Sequence, residues 1–217
     1  MRVEDRPPYR WLRRVGAIAD LPSWPRDRRT LAYHEAGHAV LSELCGLAVD
    51  VAKINTEGSK GEMRFVKPRP CADVPEFPQA MIEKVAVEMA AMYVGGVMCE
   101  LLLHGRDLKP GTYLLLNDRD WTNAKRILWK AFSSHTPLFY CQRLARAVLS
   151  ENWTWVRAVA AEIEAVGIAD GATVRRLRGE SAQGIPADGA EQSLRIRAPR
   201  AAGAGVGAEG LGQCQSL

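Results

Sequence analysis

The chain reads as a mainly α-helical domain carrying one small β-hairpin, and three observations predict it. Apolar residues recur at helical spacing through most of residues 28–177, in stretches separated by proline and glycine. Only one pair of short β-prone runs stands out, around Gly58 and Gly61. With 217 residues, 47% of them hydrophobic, the chain can bury one good core but not two.

Taken in order, residues 1–26 hold Pro7, Pro8, Pro22 and Pro25, which forbid a continuous helix and predict an irregular arm. The arm is basic: between residues 1 and 29 eight arginines face four acidic residues. A helix follows from about Arg28 to Cys45, with Gly46 as its stop. Val49 to Ile54 and Glu62 to Val66 form the hairpin, and Pro68, Pro70, Pro75 and Pro78 mark a loop. A long helix from about Gln79 to Leu103 places Met81, Val85, Met89, Met92 and Gly96 on one stripe, read as core filling. Its Gly95-Gly96 pair would let another helix approach closely. Gly105 to Gly111 is a loop. Helices from about Asp118 to Phe132, Pro137 to Ser150 and Asn152 to Val166 complete the bundle, with Trp153 and Trp155 packing at the start of the last. A short helix from Asp170 to Leu177 follows. Residues 179–217 turn to alanine, glycine and scattered polar residues, too few large apolar side chains to offset their ordering entropy, and are expected to be disordered.

The chemistry lies in His34-Glu35-Ala36-Gly37-His38. At about 3.6 residues per turn, His34 and His38 rise from one helix face and can reach the same tetrahedral Zn²⁺. Glu35 points about 100° away, outside that ligand fork but placed to take a proton from water at the metal. The ordinary alternative is an amphipathic helix with two buried, hydrogen-bonded histidines. Leu31, His34, His38, Leu41 and Cys45 do share the core-facing stripe, but Ala36, Gly37 and Ala39 are all small. A glycine inside a helix costs about 1 kcal/mol against alanine, so Gly37 needs a local reason: a second backbone or a substrate passing close by.

A catalytic zinc takes a third protein ligand and leaves one position open. His104, His135, Asp118 and Asp120 are the candidates, and either aspartate has suitable oxygens. Both also suit helix capping, since Asn117 is a natural N-cap and acids in a first turn favour the positive end of the helix dipole.

Four segments resemble the peptidase domain of the FtsH-type ATP-dependent zinc metalloproteases. They are Ala32 to Val40; Ala90 to Gly105, with its Gly-Gly pair and following Glu100; Asn117 to Leu128; and Asn152 to Leu177. Together they span about residues 30–178. The resemblance implies a zincin-like helical peptidase domain, here residues 27–178, with the β-hairpin beside the metal helix. It also implies His34, His38 and Asp120 as zinc ligands and Glu35 as the catalytic general base. Asp120 fits the family spacing better than Asp118, because Trp121 follows it and Ala124 stands four positions on. Glu100 occupies the place of the first of two family glutamates, with Leu101 replacing the second; it either orients a histidine ligand or is a solvated helix residue. The hairpin strand would pair with substrate backbone.

The chain departs from that family in showing no Gly-x-x-x-x-Gly-Lys-Ser/Thr phosphate loop and no evident apolar run of bilayer-spanning length. The expectation is therefore a zinc metalloendopeptidase without its own motor, acting on unfolded or small polypeptides, with an ATPase or a homo-oligomer as possible partner. The alternative is a zinc-stabilised, non-catalytic interaction subunit of a protease assembly. Net charge of +4 is modest, and the basic arm is read as an exposed tail, so a nucleic-acid partner is not expected. Five scattered cysteines without Cys-x-x-Cys spacing read as reduced thiols, and the absence of a secretory signal pattern points to the cytoplasm.

Overall fold

The histidine motif sits in a helix that Asp27 starts by accepting the Thr30 N–H at 2.8 Å, an ordinary N-cap. The computed structural model describes residues 18–19, 24, 27–66, 78–108, 112–114, 116 and 118–183. Within them lie six helices: α1 (Arg28–Leu44), α2 (Gln79–Leu103), α3 (Arg119–Phe132), α4 (Pro137–Glu151), α5 (Trp153–Val166) and α6 (Gly171–Gln183). The strands are β1 (Ile18–Ala19), β2 (Val49–Ile54), β3 (Gly61–Phe65), β4 (Tyr113–Leu114) and β5 (Ile168–Asp170). The molecule is thus mainly α, as expected.

Helix α1 is buried from Thr30 through Ser42, because α2 covers one side, α5 another and the β2–β3 hairpin a third. Its closest neighbour is α2. A Cβ on Gly37 would stand 2.7 Å from the Cys99 Cβ and 2.8 Å from the Gly95 carbonyl oxygen, so the two helices cross backbone to backbone. Of the two reasons open for Gly37, a second backbone is the one present. Helix α2 in turn packs on α3 and α4, and Met92, Met98, Cys99, Trp121, Leu128 and Leu149 fill the core around it.

The hairpin gains a third strand. The sheet order is β3-β2-β5, antiparallel throughout, with Lys53 opposite both Glu62 and Ile168. Asn55 closes the β2–β3 turn: its side-chain oxygen accepts the Ser59 and Lys60 N–H groups at 2.8 and 2.9 Å, and Gly58 takes φ +64°, a left-handed conformation that glycine adopts freely. Strand β3 is one of the sheet's two outer strands and runs beside α1. The Trp153–Trp155 expectation holds as packing: the Trp155 indole N–H donates to the Val174 carbonyl at 2.8 Å, tying α5 to α6.

Five expectations need correction. The arm is not wholly irregular, since Ile18–Ala19 pair in parallel with Tyr113–Leu114; the rest of it, Trp24 apart, falls outside the described residues, as do the proline loop from 67 to 77 and residues 184–217. The last helix continues through Gly179 to Gln183, helped by the Arg176–Glu180 pair one turn apart at 2.6 Å. Asp118, not Asn117, caps α3, accepting the Trp121 N–H at 2.7 Å. The apolar stripe of α2 is only half core: Met92 is fully buried while Met81 and Val85 are 49% and 46% exposed. They line an apolar groove of about 350 Å³ with Ile82 and Ile127. Finally, α2 is itself long and apolar enough to cross a membrane, against the expectation of no such run; in this fold it is the central helix, and 67% of its most apolar window is buried.

Candidate metal centre

His34 and His38 occupy successive turns of α1 and face α2. Each ring is fixed by its Nδ1. That of His34 lies 2.6 Å from Glu100 Oε1, and that of His38 lies 2.8 Å from the Met92 carbonyl oxygen. Both acceptors come from α2. Glu100 is completely buried, and its other oxygen accepts the Trp24 indole N–H at 2.8 Å. It therefore orients a histidine and is not a solvated helix residue.

This arrangement decides the tautomers. A carbonyl and a carboxylate only accept, so both Nδ1 atoms carry hydrogen, and in neutral rings both Nε2 atoms are then bare acceptors. Those two Nε2 atoms face each other at 3.0 Å. Asp120 Oδ2, delivered by the first turn of α3, lies 3.4 Å from His38 Nε2 and 3.8 Å from His34 Nε2. Three lone pairs converge with no donor among them. A positive charge belongs between them, either a proton or a cation. Two donors bound at 2.0–2.1 Å to a tetrahedral zinc ion stand about 3.3 Å apart, a spacing that these separations bracket. His34, His38 and Asp120 form the one group among the described residues whose side chains are placed to hold a metal ion.

The electrostatics carry the same message. Burial presses His34 toward its neutral form, but Asp120 and Glu100 outweigh that and raise its pKa to about 10. Burial alone would raise Asp120, yet the two histidines hold its carboxyl well below the usual range. Glu35 is 5% exposed, and burial raises its pKa, partly offset by the same two histidines. A carboxylate lifted toward neutrality is a better proton acceptor and donor at physiological pH.

Two glycines make room for these groups. Any Cβ on Gly96 would stand 2.5 Å from the Nε2 and Cε1 atoms of His34, so the second glycine of the pair accommodates an imidazole, and only Gly95 serves the helix crossing. Gly61, at the start of β3, lies directly against the Glu35 carboxylate and has no space for a side chain. The four site residues open onto a cleft of about 1030 Å³ bordered by β3, Tyr93, Arg119 and Asn123. The other candidate ligands lie elsewhere: His104 stacks on Trp24, with ring centroids 4.8 Å apart, and His135 lies beside Trp129.

Of the two aspartates, Asp118 performs the cap and Asp120 stands beside both histidines. Replacing Asp118 by alanine should cost about 1 kcal/mol of stability through the lost cap and leave metal binding intact. Asp120→Ala should weaken metal binding by more than about 100-fold, beyond what outer partners contribute. Zinc titration against a chromogenic chelator, with thermal melts of both variants, separates the two; equal losses of zinc affinity would refute the assignment.

Sequence reasoning missed the Met92 carbonyl, Gly61 and Trp24. A main-chain oxygen has no letter of its own, Gly61 reads as a turn residue, and Trp24 is 76 residues from its partner. Among the described residues Cys45, Cys99 and Cys141 are free; burial pushes the thiols of Cys45 and Cys141 up to about 12, and the three are inert packing. A comparison with protein-family models and with curated proteins finds no match for this chain.

Proposed function

We propose that the protein is a zinc-dependent metalloendopeptidase of the FtsH peptidase kind, cleaving unfolded or small polypeptides. The observation that carries the reading is the convergence of His34 Nε2, His38 Nε2 and an Asp120 oxygen within 4.8 Å of one another, with the buried Glu35 on the same helix and the same open cleft. Three ligands of this type suit zinc over calcium or magnesium, which favour all-oxygen shells. Three protein ligands also leave a tetrahedral ion one open position, the mark of a catalytic site.

A zinc ion held there would polarise the scissile carbonyl and make water a competent nucleophile near neutral pH. Glu35 takes one proton from the attacking water as its oxygen bonds to the carbonyl carbon. The same carboxyl then passes that proton to the amide nitrogen as the C–N bond breaks, releasing a carboxylic acid and an amine. Glu100 and the Met92 carbonyl keep the two imidazoles in the Nδ1–H form throughout. An extended substrate would align along β3, whose outer edge borders the cleft, so that backbone pairing supplies binding while many side chains are tolerated.

The test is zinc content and cleavage together. Protein purified with zinc should contain about one equivalent and digest unfolded casein, chelation should stop the digestion, and added zinc should restore it. Stoichiometric zinc with no cleavage of any unfolded polypeptide would refute the peptidase reading.

A further inference from the structure

His34 is held from behind by a carboxylate that is itself held. Glu100 accepts the His34 Nδ1–H on Oε1 at 2.6 Å and the Trp24 Nε1–H on Oε2 at 2.8 Å. An indole nitrogen only donates, so this second bond occupies Oε2 as an acceptor and fixes the plane of the Glu100 carboxyl group that meets His34. The indole is fixed independently of its N–H. Its ring stacks on His104 at 4.8 Å and 30°, and the His104 Nε2 lies 3.4 Å from the Thr30 hydroxyl in the first turn of α1.

Among the described residues flanking Trp24, Asp27 meets α1 and Ile18–Ala19 meet the Tyr113–Leu114 strand. Asp27 caps α1, which carries the two histidines. Ile18–Ala19 pair with Tyr113–Leu114, a few residues before α3 and Asp120. The side-chain amide of buried Gln142 holds Leu114 from the other side, taking its N–H at 2.9 Å and giving to its carbonyl at 3.0 Å.

We propose that Trp24 is a positioning residue of the metal centre: its indole N–H fixes Glu100, and Glu100 fixes the ring orientation and tautomer of His34. This inference rests on the metal-binding reading above. Because the indole N–H meets the metal ligands through Glu100, its loss gives a signature that general loss of packing does not share.

The experiment is a double-mutant cycle on the full chain, read as zinc affinity by chelator competition and as the visible spectrum of the cobalt-substituted protein. Trp24→Phe keeps the stacked ring and loses the donor, and it should weaken zinc binding about 10-fold, the lower end of the range for such outer partners. Glu100→Ala, which removes the acceptor of both bonds, should weaken it about 10- to 100-fold. The double variant should match Glu100→Ala alone within about two-fold, because the tryptophan N–H has no carboxylate left to act through. The cobalt bands of Trp24→Phe should shift, which a packing role would not cause. Trp24→Met serves as the second variant if the phenylalanine form does not fold. Zinc affinity of the Trp24 variants equal to wild type, or losses that simply add to that of Glu100→Ala, would overturn the proposal. A wild-type protein that binds no zinc would instead bring down the metal centre itself.

Discussion

Glu35→Gln protein is expected to bind zinc like the wild type and to lose peptide cleavage by about 10²- to 10⁴-fold, the contribution typical of a positioned general base. Glutamine has nearly the same shape, so the contact with Gly61 at the start of β3 survives, and no metal ligand changes. What disappears is the ability to accept a proton. The buried carboxylate stands beside two imidazoles and Asp120, so removing its charge should loosen the cation slightly and no more. His38→Ala is the contrast, since it removes a ligand and should lose zinc and cleavage together. Zinc stoichiometry and initial rates on unfolded casein, measured on the same three preparations, decide the matter. Undiminished cleavage by pure Glu35→Gln protein would remove the general base from the mechanism.

Much of this site could be read before any coordinates, for a physical reason. Helical periodicity is local, so two histidines four residues apart are bound to share a face, and the α1 geometry follows from the letters. Cap chemistry was half legible: the expected cap at Asn117 lies one residue before the Asp118 that performs it, because Asn and Asp are nearly equal as caps and only the backbone decides between them. The groups that hold the imidazoles were harder to see. Glu100 occupied the right segment, but whether a helical glutamate faces solvent or core depends on which helices cover it, and the α2 stripe runs through Met81 and Val85, where the helix is little covered. The third strand of the sheet was invisible for a related reason. Ile168–Asp170 is three residues long, too short for alternation to register, and it is a strand only because β2 offers it an edge.

Gly96→Ala should weaken zinc binding while leaving the bundle standing, and the cause is a single methyl group. The new Cβ would stand 2.5 Å from His34 Nε2 and Cε1 and 2.6 Å from Cδ2, so it meets the ring across its width and no small tilt escapes it. Rotating the ring breaks the 2.6 Å bond to Glu100 and turns Nε2 away from His38 and Asp120. Backing α2 away from α1 opens the crossing where Leu41 packs on Gly95 and the Gly37 and Gly95 backbones meet. Overpacking of this kind costs about 1–3 kcal/mol. Charged against the metal-bound state, that becomes a loss of roughly 5- to 150-fold in zinc affinity, with tenfold for every 1.4 kcal/mol. Gly179→Ala is the matched control: it too lies in a helix, nothing stands within 4 Å of its would-be Cβ, and it should gain up to about 1 kcal/mol of stability with zinc affinity unmoved. Chelator competition should then show a loss for Gly96→Ala alone, and thermal melts a gain for Gly179→Ala, if His34 is a ligand held against Gly96. Wild-type zinc affinity in Gly96→Ala protein would mean that the His34 ring coordinates from some other position, or that it does not coordinate at all.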